Sequence, residues 1–550
     1  GIIGLTVLFV AAAAWAGRGA GAVDLAAMSA AALGALSLME SAPRYVAIGQ
    51  IMGGEWIHPM PWIHLSPTVF YAGVLAACAM SAAALWRSVA SDGRAAQAWA
   101  YAAAVIAPTY LALQEAAWTP GDVLGHFVWA NIAMILAAAA TWVALASRIP
   151  STIPEGDAEH ADRTDDAGAV LRTALGALVA MAMIALSLFV MLSDAALSMA
   201  LAVLVLGAAV LDRRFDLPPL GWFIQAGVAV LTWRVVAVPG LDWAVDATRL
   251  DLALAYFAPS VCLGVACWLL RGTARPVTQA VAEGGAALAA GAGLTVVMAR
   301  WGQAVTESGL QETHWTIGLV AAVWLIAALA AARGVLAQAG QGRQIVGAAT
   351  WAALVVRGST AALSTAVAAV ALYATLGPLN PIFNGREAVL GPVGANTLVL
   401  AYLVPGLVLI AGSIVLTGLP AALRRAVAWS GGGLAFVYTL LAIAHAWRGP
   451  VMAHVAMVSG ELWSYTGLLV ALGAALFVAA LMRDDRALRY VANGFLLVAI
   501  AKVFVIDAAS LEGLARAGSF LLLGLVLAGL AWINRRAAMI RAGAAWPPGP

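Results

Sequence analysis

The chain has 550 residues, of which 63% are hydrophobic and 10% charged, with a net charge of +2. Soluble domains carry charge on about a quarter of their residues, so this composition excludes a water-soluble fold and demands a bilayer. The near-neutral balance says nothing about partners, nucleic-acid binding has no support in the sequence, and the three cysteines (Cys78, Cys262 and Cys267) fall inside apolar runs as small buried hydrophobes, neither a disulfide framework nor a zinc site.

Apolar runs bounded by charges, prolines or glycines predict seventeen spans, beginning near residues 1, 24, 67, 97, 122, 169, 195, 218, 251, 277, 313, 345, 394, 426, 461, 488 and 513. Runs of this length do not alternate as barrel strands do, and in hydrocarbon each segment must satisfy its own backbone groups. The expected fold is therefore all-α, a polytopic transmembrane helical bundle forming one integral membrane domain over residues 1–550. The first span has about 16 residues before Arg18 and no leading methionine, so it reads as a truncated helix in a fragment whose true N-terminus is absent.

Arginine sets the orientation. The turns after odd-numbered spans, together with the C-terminal tail, hold 20 of the 29 basic residues, among them Arg87, Arg172, Arg213, Arg275, Arg424 and Arg483. By the positive-inside rule these turns, and the C-terminus, are cytoplasmic. On that side the stretch 151–168, rich in Pro, Glu, Asp and Thr, reads as a solvated flexible loop. The outer turns are richer: one carries Glu55, His58 and His64, another Glu115, and a third, Gly377 to Asn396, carries Asn380, Asn384, Arg386 and Glu387. Several even spans approach that side with a cation (Arg234, Arg300, Arg448, Lys502), and the next odd span opens with an acid (Asp251, Glu312, Glu461, Glu512). Acids at helix N-termini cap free amides, while interfacial cations snorkel beside tryptophan.

Arg357 stands apart because it lies about fourteen residues into its span, on the order of 20 Å deep. No carboxylate is expected at comparable depth, since Glu283 lies only about 10 Å in. A lone intramembrane cation suits an anionic ligand such as a lipid phosphate; alternatively the span breaks at Gly358-Ser359-Thr360 and Arg357 meets the freed carbonyls. Arg234, Asn380, Asn384 and Asn396 complete the ligand-binding candidates. In the last hairpin Glu461, Lys502, Asp507, Glu512 and Arg516 are expected to form a structural charge cluster. His58, His64, His445 and His454 are weak metal candidates without the i, i+4 spacing of a helical zinc site, so no metal is expected. No phosphate-binding loop, dinucleotide fingerprint or nucleophile elbow appears, and no cofactor is expected.

The segments Glu461-Leu-Trp-Ser-Tyr465, Lys502-Val-Phe-Val-Ile-Asp507 and Leu511-Glu512-Gly-Leu-Ala-Arg516-Ala-Gly-Ser519-Phe520 resemble the bacterial predicted-membrane-protein family called domain of unknown function 2339. Asn380-Pro381, Asn396 and Leu400-Ala-Tyr402-Leu-Val-Pro405 are similar to the preceding segment of that family, so 377–536 is the most specific part. The resemblance implies a multi-pass protein of the bacterial inner (cytoplasmic) membrane, with further N-terminal helices missing here, and supplies no chemistry. The first functional expectation is binding or translocation of an amphipathic anionic envelope component, an anionic lipid or glycolipid. The alternative is a non-catalytic scaffold that docks partners, and the third an envelope glycosyl or acyl transferase using Glu55 or Glu115.

Overall fold

Each of the first sixteen predicted spans is a helix in the computed structural model, and no strand occurs among the described residues. The structure describes residues 2–15, 23–36, 66–91, 93–147, 158–306, 312–340 and 347–503, with backbone alone over 158–167, and scattered positions between 521 and 535. The seventeenth predicted span falls mostly outside them. In chain order the helices are α1 Ile2–Trp15, α2 Val23–Leu36, α3 Pro67–Val89, α4 Gly93–Trp118, the short α5 Gly121–Leu124, α6 His126–Ala146, α7 Ala158–Met191, α8 Asp194–Phe215 and α9 Pro218–Val236. There follow the short α10 Gly240–Asp246, α11 Arg249–Leu269, α12 Pro276–Val305, α13 His314–Gly340, α14 Ala348–Leu376, α15 Val399–Val415, α16 Ala421–Arg448, α17 Ser459–Arg483 and α18 Arg486–Lys502.

Among the described residues, eleven helices are long and apolar enough to cross a membrane, and three shorter apolar helices accompany them. Their outward faces are as apolar as their cores: Ile135 and Trp142 of α6 are 70% and 71% exposed. Water would penalise such a surface, whereas lipid matches it.

The stretch 151–168 is helical from Ala158 onward, because Ala, Glu, Asp and Arg over 158–167 extend α7 without any proline or glycine to stop it. The chain also divides into two compact units, one comprising Gly1–Arg300 and Ala327–Thr365 and the other Trp301–Ile326 and Ala366–Pro550.

Within the first unit, one core joins α1, α3, α4, α6 and α7 around Phe9, Met80, Leu111, Trp129 and Met183. A second joins α8, α9 and α11 around Val205, Ile224, Leu231 and Leu263. Small residues set the close approaches: a Cβ on Gly73 would strike the Tyr110 hydroxyl, and one on Gly176 would lie 2.9 Å from the Ala140 carbonyl oxygen. The second unit has its core at Trp315, Leu398, Tyr402, Leu441 and Met452.

One local device appears once in each unit. Ala255-Tyr256-Phe257-Ala258-Pro259 in α11 and Ala401-Tyr402-Leu403-Val404-Pro405 in α15 both pass through a π-helical turn just before the proline. Proline lacks an amide proton and crowds the carbonyl four residues earlier, and a widened turn relieves that conflict. Both tyrosines are buried and spend their hydroxyls on carbonyls of neighbouring segments, Tyr256 on Gly240 (2.9 Å) and Tyr402 on Thr375 (2.7 Å).

Candidate functional site

Most polar residues singled out from the sequence are engaged by their own chain. Arg357 lies nine residues after the start of α14 and Glu283 seven after the start of α12, so the two reach similar depths of about 13 Å and about 10 Å. The Arg357 Nε donates to Glu283 Oε2 at 3.1 Å, and its Nη1 to Gln338 Oε1 at 2.6 Å. The expectation that no carboxylate shares its depth is thus corrected. So is the alternative of a helix break, because α14 runs unbroken through Gly358.

Arg234 and Lys502 lock hairpins in the same way. Arg234, at the end of α9, donates to the Ser198 hydroxyl (3.0 Å) and the Asp194 carbonyl (2.7 Å) in the first turns of α8. Lys502, at the end of α18, donates to the Thr466 hydroxyl and the Leu462 carbonyl, both at 2.7 Å, near the start of α17. In each case the hydroxyl lies 36 residues before the cation and the carbonyl 40, a shared register for two antiparallel hairpins. Asp507, Glu512 and Arg516 of the expected charge cluster lie outside the described residues. Glu461 instead takes Arg448: the Nε sits 2.9 and 3.0 Å from the two carboxylate oxygens, and the Tyr465 hydroxyl donates at 2.8 Å. Glu461 is completely buried and both its oxygens are satisfied.

The candidates in the turns serve mainly as turn caps. Asn380 Oδ1 accepts from the Ile382 amide and Asn384 Oδ1 from the Arg386 amide, each at 3.1 Å. His445 Nδ1 donates to the Gly449 carbonyl at 3.2 Å, closing α16, while the ring of His454 lies against Gly385. His58, His64 and Glu55 lie outside the described residues, and no group of three metal-ligating side chains occurs among the described ones. Glu115, near the end of α4, is half-buried.

Asn396 differs. It is 5% exposed, and neither side-chain polar atom has a hydrogen-bond partner among the described residues. Next to it in sequence, the Thr397 hydroxyl meets His314 Nε2 at 2.9 Å, and His314 Nδ1 meets Glu387 Oε2 at 2.7 Å, all three side chains being buried. The Leu390 amide donates to the Thr397 hydroxyl (3.2 Å), and the Thr397 amide to the Leu390 carbonyl (2.9 Å). This network holds the 387–397 loop on the first residue of α13. His314 had not been singled out; its only signal was an imidazole at the head of an apolar run.

A cavity with room for a ligand lies in the first unit, where α3, α4, α6 and α7 enclose a partly open space of about 440 Å³. That volume falls within the range of small-molecule sites. Its walls are almost wholly apolar. Leu75, Leu85, Leu111, Ile132, Leu136 and Val143 supply the bulk, and alanines of α3, α4 and α6 with Gly176 of α7 supply the space. At Ala107 the wall is stabilised across helices: the Ser81 hydroxyl accepts the Ala107 amide at 3.1 Å, next to Pro108, which has no amide proton.

Arg172 is the sole cation on this lining. It lies four residues, or about 6 Å, into the apolar part of α7 that begins at Gly168, a depth typical of headgroup contacts. Among the described residues no hydrogen bond or ion pair engages its guanidinium, in contrast to Arg234, Arg357 and Arg448. Sequence reading had used Arg172 only to orient the chain.

The model of the predicted-membrane-protein family, domain of unknown function 2339, matches residues 2–537. The chain belongs to this family. Membership in domain of unknown function 2339 makes it a membrane protein with multiple candidate spans in contact with the lipid bilayer. No protein of curated function and no solved structure matches the chain.

Proposed function

We propose that this family member binds an amphipathic anionic component of the bacterial inner membrane in the cavity between α3, α4, α6 and α7. One observation carries the reading: an apolar cavity whose only cation, Arg172, is left unengaged by the described residues. Apolar walls take up a hydrocarbon tail at about 25 cal/mol per Å² buried, and an arginine at headgroup depth favours a phosphate or carboxylate. The arginine distribution of the turns supports a cytoplasmic orientation for the Arg172 end, the leaflet surface with the more negative potential. Arg357, the earlier choice for the anion, is internally paired, so the proposed ligand contact moves to Arg172. Binding, rather than translocation, is the part of the expectation that the cavity supports.

The test is the lipid that co-purifies. The full chain and its Arg172→Gln variant are purified in a mild detergent, and extracted lipids are quantified by mass spectrometry. The ratio of anionic to zwitterionic phospholipid should fall severalfold in the variant at unchanged yield and melting temperature, because no hydrogen bond or ion pair engages Arg172 among the described residues. Equal ratios in the two proteins would overturn the proposal.

A further inference from the structure

Resting on that reading, we infer that the cavity takes one acyl chain of an anionic lipid standing in a single leaflet, with its headgroup at Arg172 and its methyl end near Leu111. The geometry is cylindrical. The lining runs along α3 from Val74 to Leu85, along α4 from Ala100 to Leu111 and along α6 from Ile132 to Val143. Each stretch covers eleven residue steps, about 16 Å at helical rise. One leaflet of hydrocarbon is about 15 Å deep, half of the roughly 30 Å core, so the lining matches one chain and is far too short for two leaflets.

The cation marks which end is polar. Gly176 packs against Ala140 and Ala144, and the Thr173 hydroxyl donates to the Ala144 carbonyl at 3.3 Å, which brings Arg172 level with the Val143 end of α6. At the opposite end the lining is Val74, Leu111 and Ile132, with no charged side chain among the described residues of the lining to hold a headgroup. An anion at that end would lose its only electrostatic partner, so the chain must run from Arg172 inward. Charge complementarity and length therefore select the same occupant: a single acyl tail bearing a phosphate or carboxylate.

Cys78 provides an internal ruler. It lines the cavity seven residues from Leu85, about 10 Å from the polar end at helical rise, while Cys262 and Cys267 are buried elsewhere in the first unit. A short tail held at Arg172 stops before the thiol, and a tail of myristoyl length covers it.

The experiment uses the full chain with Cys262→Ala and Cys267→Ala, purified in detergent and delipidated. Reaction of Cys78 with N-ethylmaleimide is followed by intact-protein mass spectrometry in the presence of added single-chain lipids. Myristoyl lysophosphatidylglycerol should slow the reaction severalfold, and a hexanoyl analogue should bind without slowing it. Myristate separates a carboxylate from a phosphate source, and myristoyl lysophosphatidylcholine reports binding without net negative charge. Arg172→Gln should weaken the myristoyl anion by roughly tenfold, the scale of a lost charge-assisted contact, while leaving the zwitterionic lipid unchanged. If long and short anions both bind at Arg172 but neither slows labelling, the chain does not enter the cavity and only this inference fails. If no anion binds, or the weakening by Arg172→Gln is absent, the proposed function fails with it.

Discussion

Arg172 and Arg357 both lie in apolar stretches of helices of the first unit, and their surroundings treat them oppositely. Arg357 is mostly buried against Glu283 and Gln338, so its charge is balanced within the chain. Arg172 borders an apolar cavity and has no such partner among the described residues. Depth makes a cation costly at Arg357, about 13 Å along its helix, whereas Arg172, about 6 Å into its apolar stretch, lies within reach of the headgroups. On the proposed reading, the charge of Arg357 is balanced by an internal carboxylate and that of Arg172 by a ligand from outside the chain. Arg448 extends the first class to the second unit, where it satisfies the fully buried Glu461.

The strongest way to break this division is to remove a partner from the most buried pair. Arg448→Met should strand the Glu461 carboxylate in an environment from which water is excluded, with only the Tyr465 hydroxyl still donating. The expected loss is about 3–5 kcal/mol, the usual range for breaking a buried ion pair from one side. Thermal unfolding in detergent, followed by tryptophan fluorescence, measures it. A double substitution, Arg448→Met with Glu461→Leu, should recover much of the loss, because the stranded charge is gone. No recovery would mean that the arginine contributes packing rather than charge.

Arg357→Gln should cost less, about 1–3 kcal/mol, because the glutamine amide can still donate to the Glu283 carboxylate, whereas methionine leaves Glu461 only the Tyr465 hydroxyl. The same variant should keep the anionic lipid content of the parent protein. A loss of co-purified anionic lipid in Arg357→Gln, with Arg172→Gln unaffected, would exchange the roles of the two arginines.

The helices were legible because hydropathy over about 20 residues is a one-dimensional signal, and each of sixteen predicted spans coincides with a helix. Pairing was not. Arg357 and Glu283 are 74 residues apart, and the depth assigned to Arg357 assumed a longer lead-in than the helix beginning at Ala348 provides. The Arg448–Glu461 contact was closer to hand, because a cation ending one span and an acid opening the next lie only 13 residues apart. Arg172 was visible only as a topological charge, since the cavity beside it arises from alanines and a glycine on four helices whose spacing no single stretch encodes. His314 and Glu387, separated by 73 residues, were hidden for the same reason as Arg357 and its partner.

Asn396 gives the smallest expected effect and tests the division for a neutral group. Its amide is buried without a partner among the described residues, while adjacent Thr397 is tied to His314 and Leu390. An unsatisfied buried amide has already paid its desolvation, so Asn396→Leu, close to it in size and without polar atoms, should leave stability unchanged or raise it by up to about 1 kcal/mol. The His314–Glu387 contact should survive, because Asn396 donates nothing to it. Thermal unfolding of Asn396→Leu beside Thr397→Val makes the comparison internal: the threonine substitution removes a partner from both the imidazole and the Leu390 amide and should cost about 1–3 kcal/mol. If Asn396→Leu destabilises the protein as much as Thr397→Val does, the amide is engaged by a bound polar molecule, and Asn396 joins Arg172 as a residue whose partner comes from outside the chain.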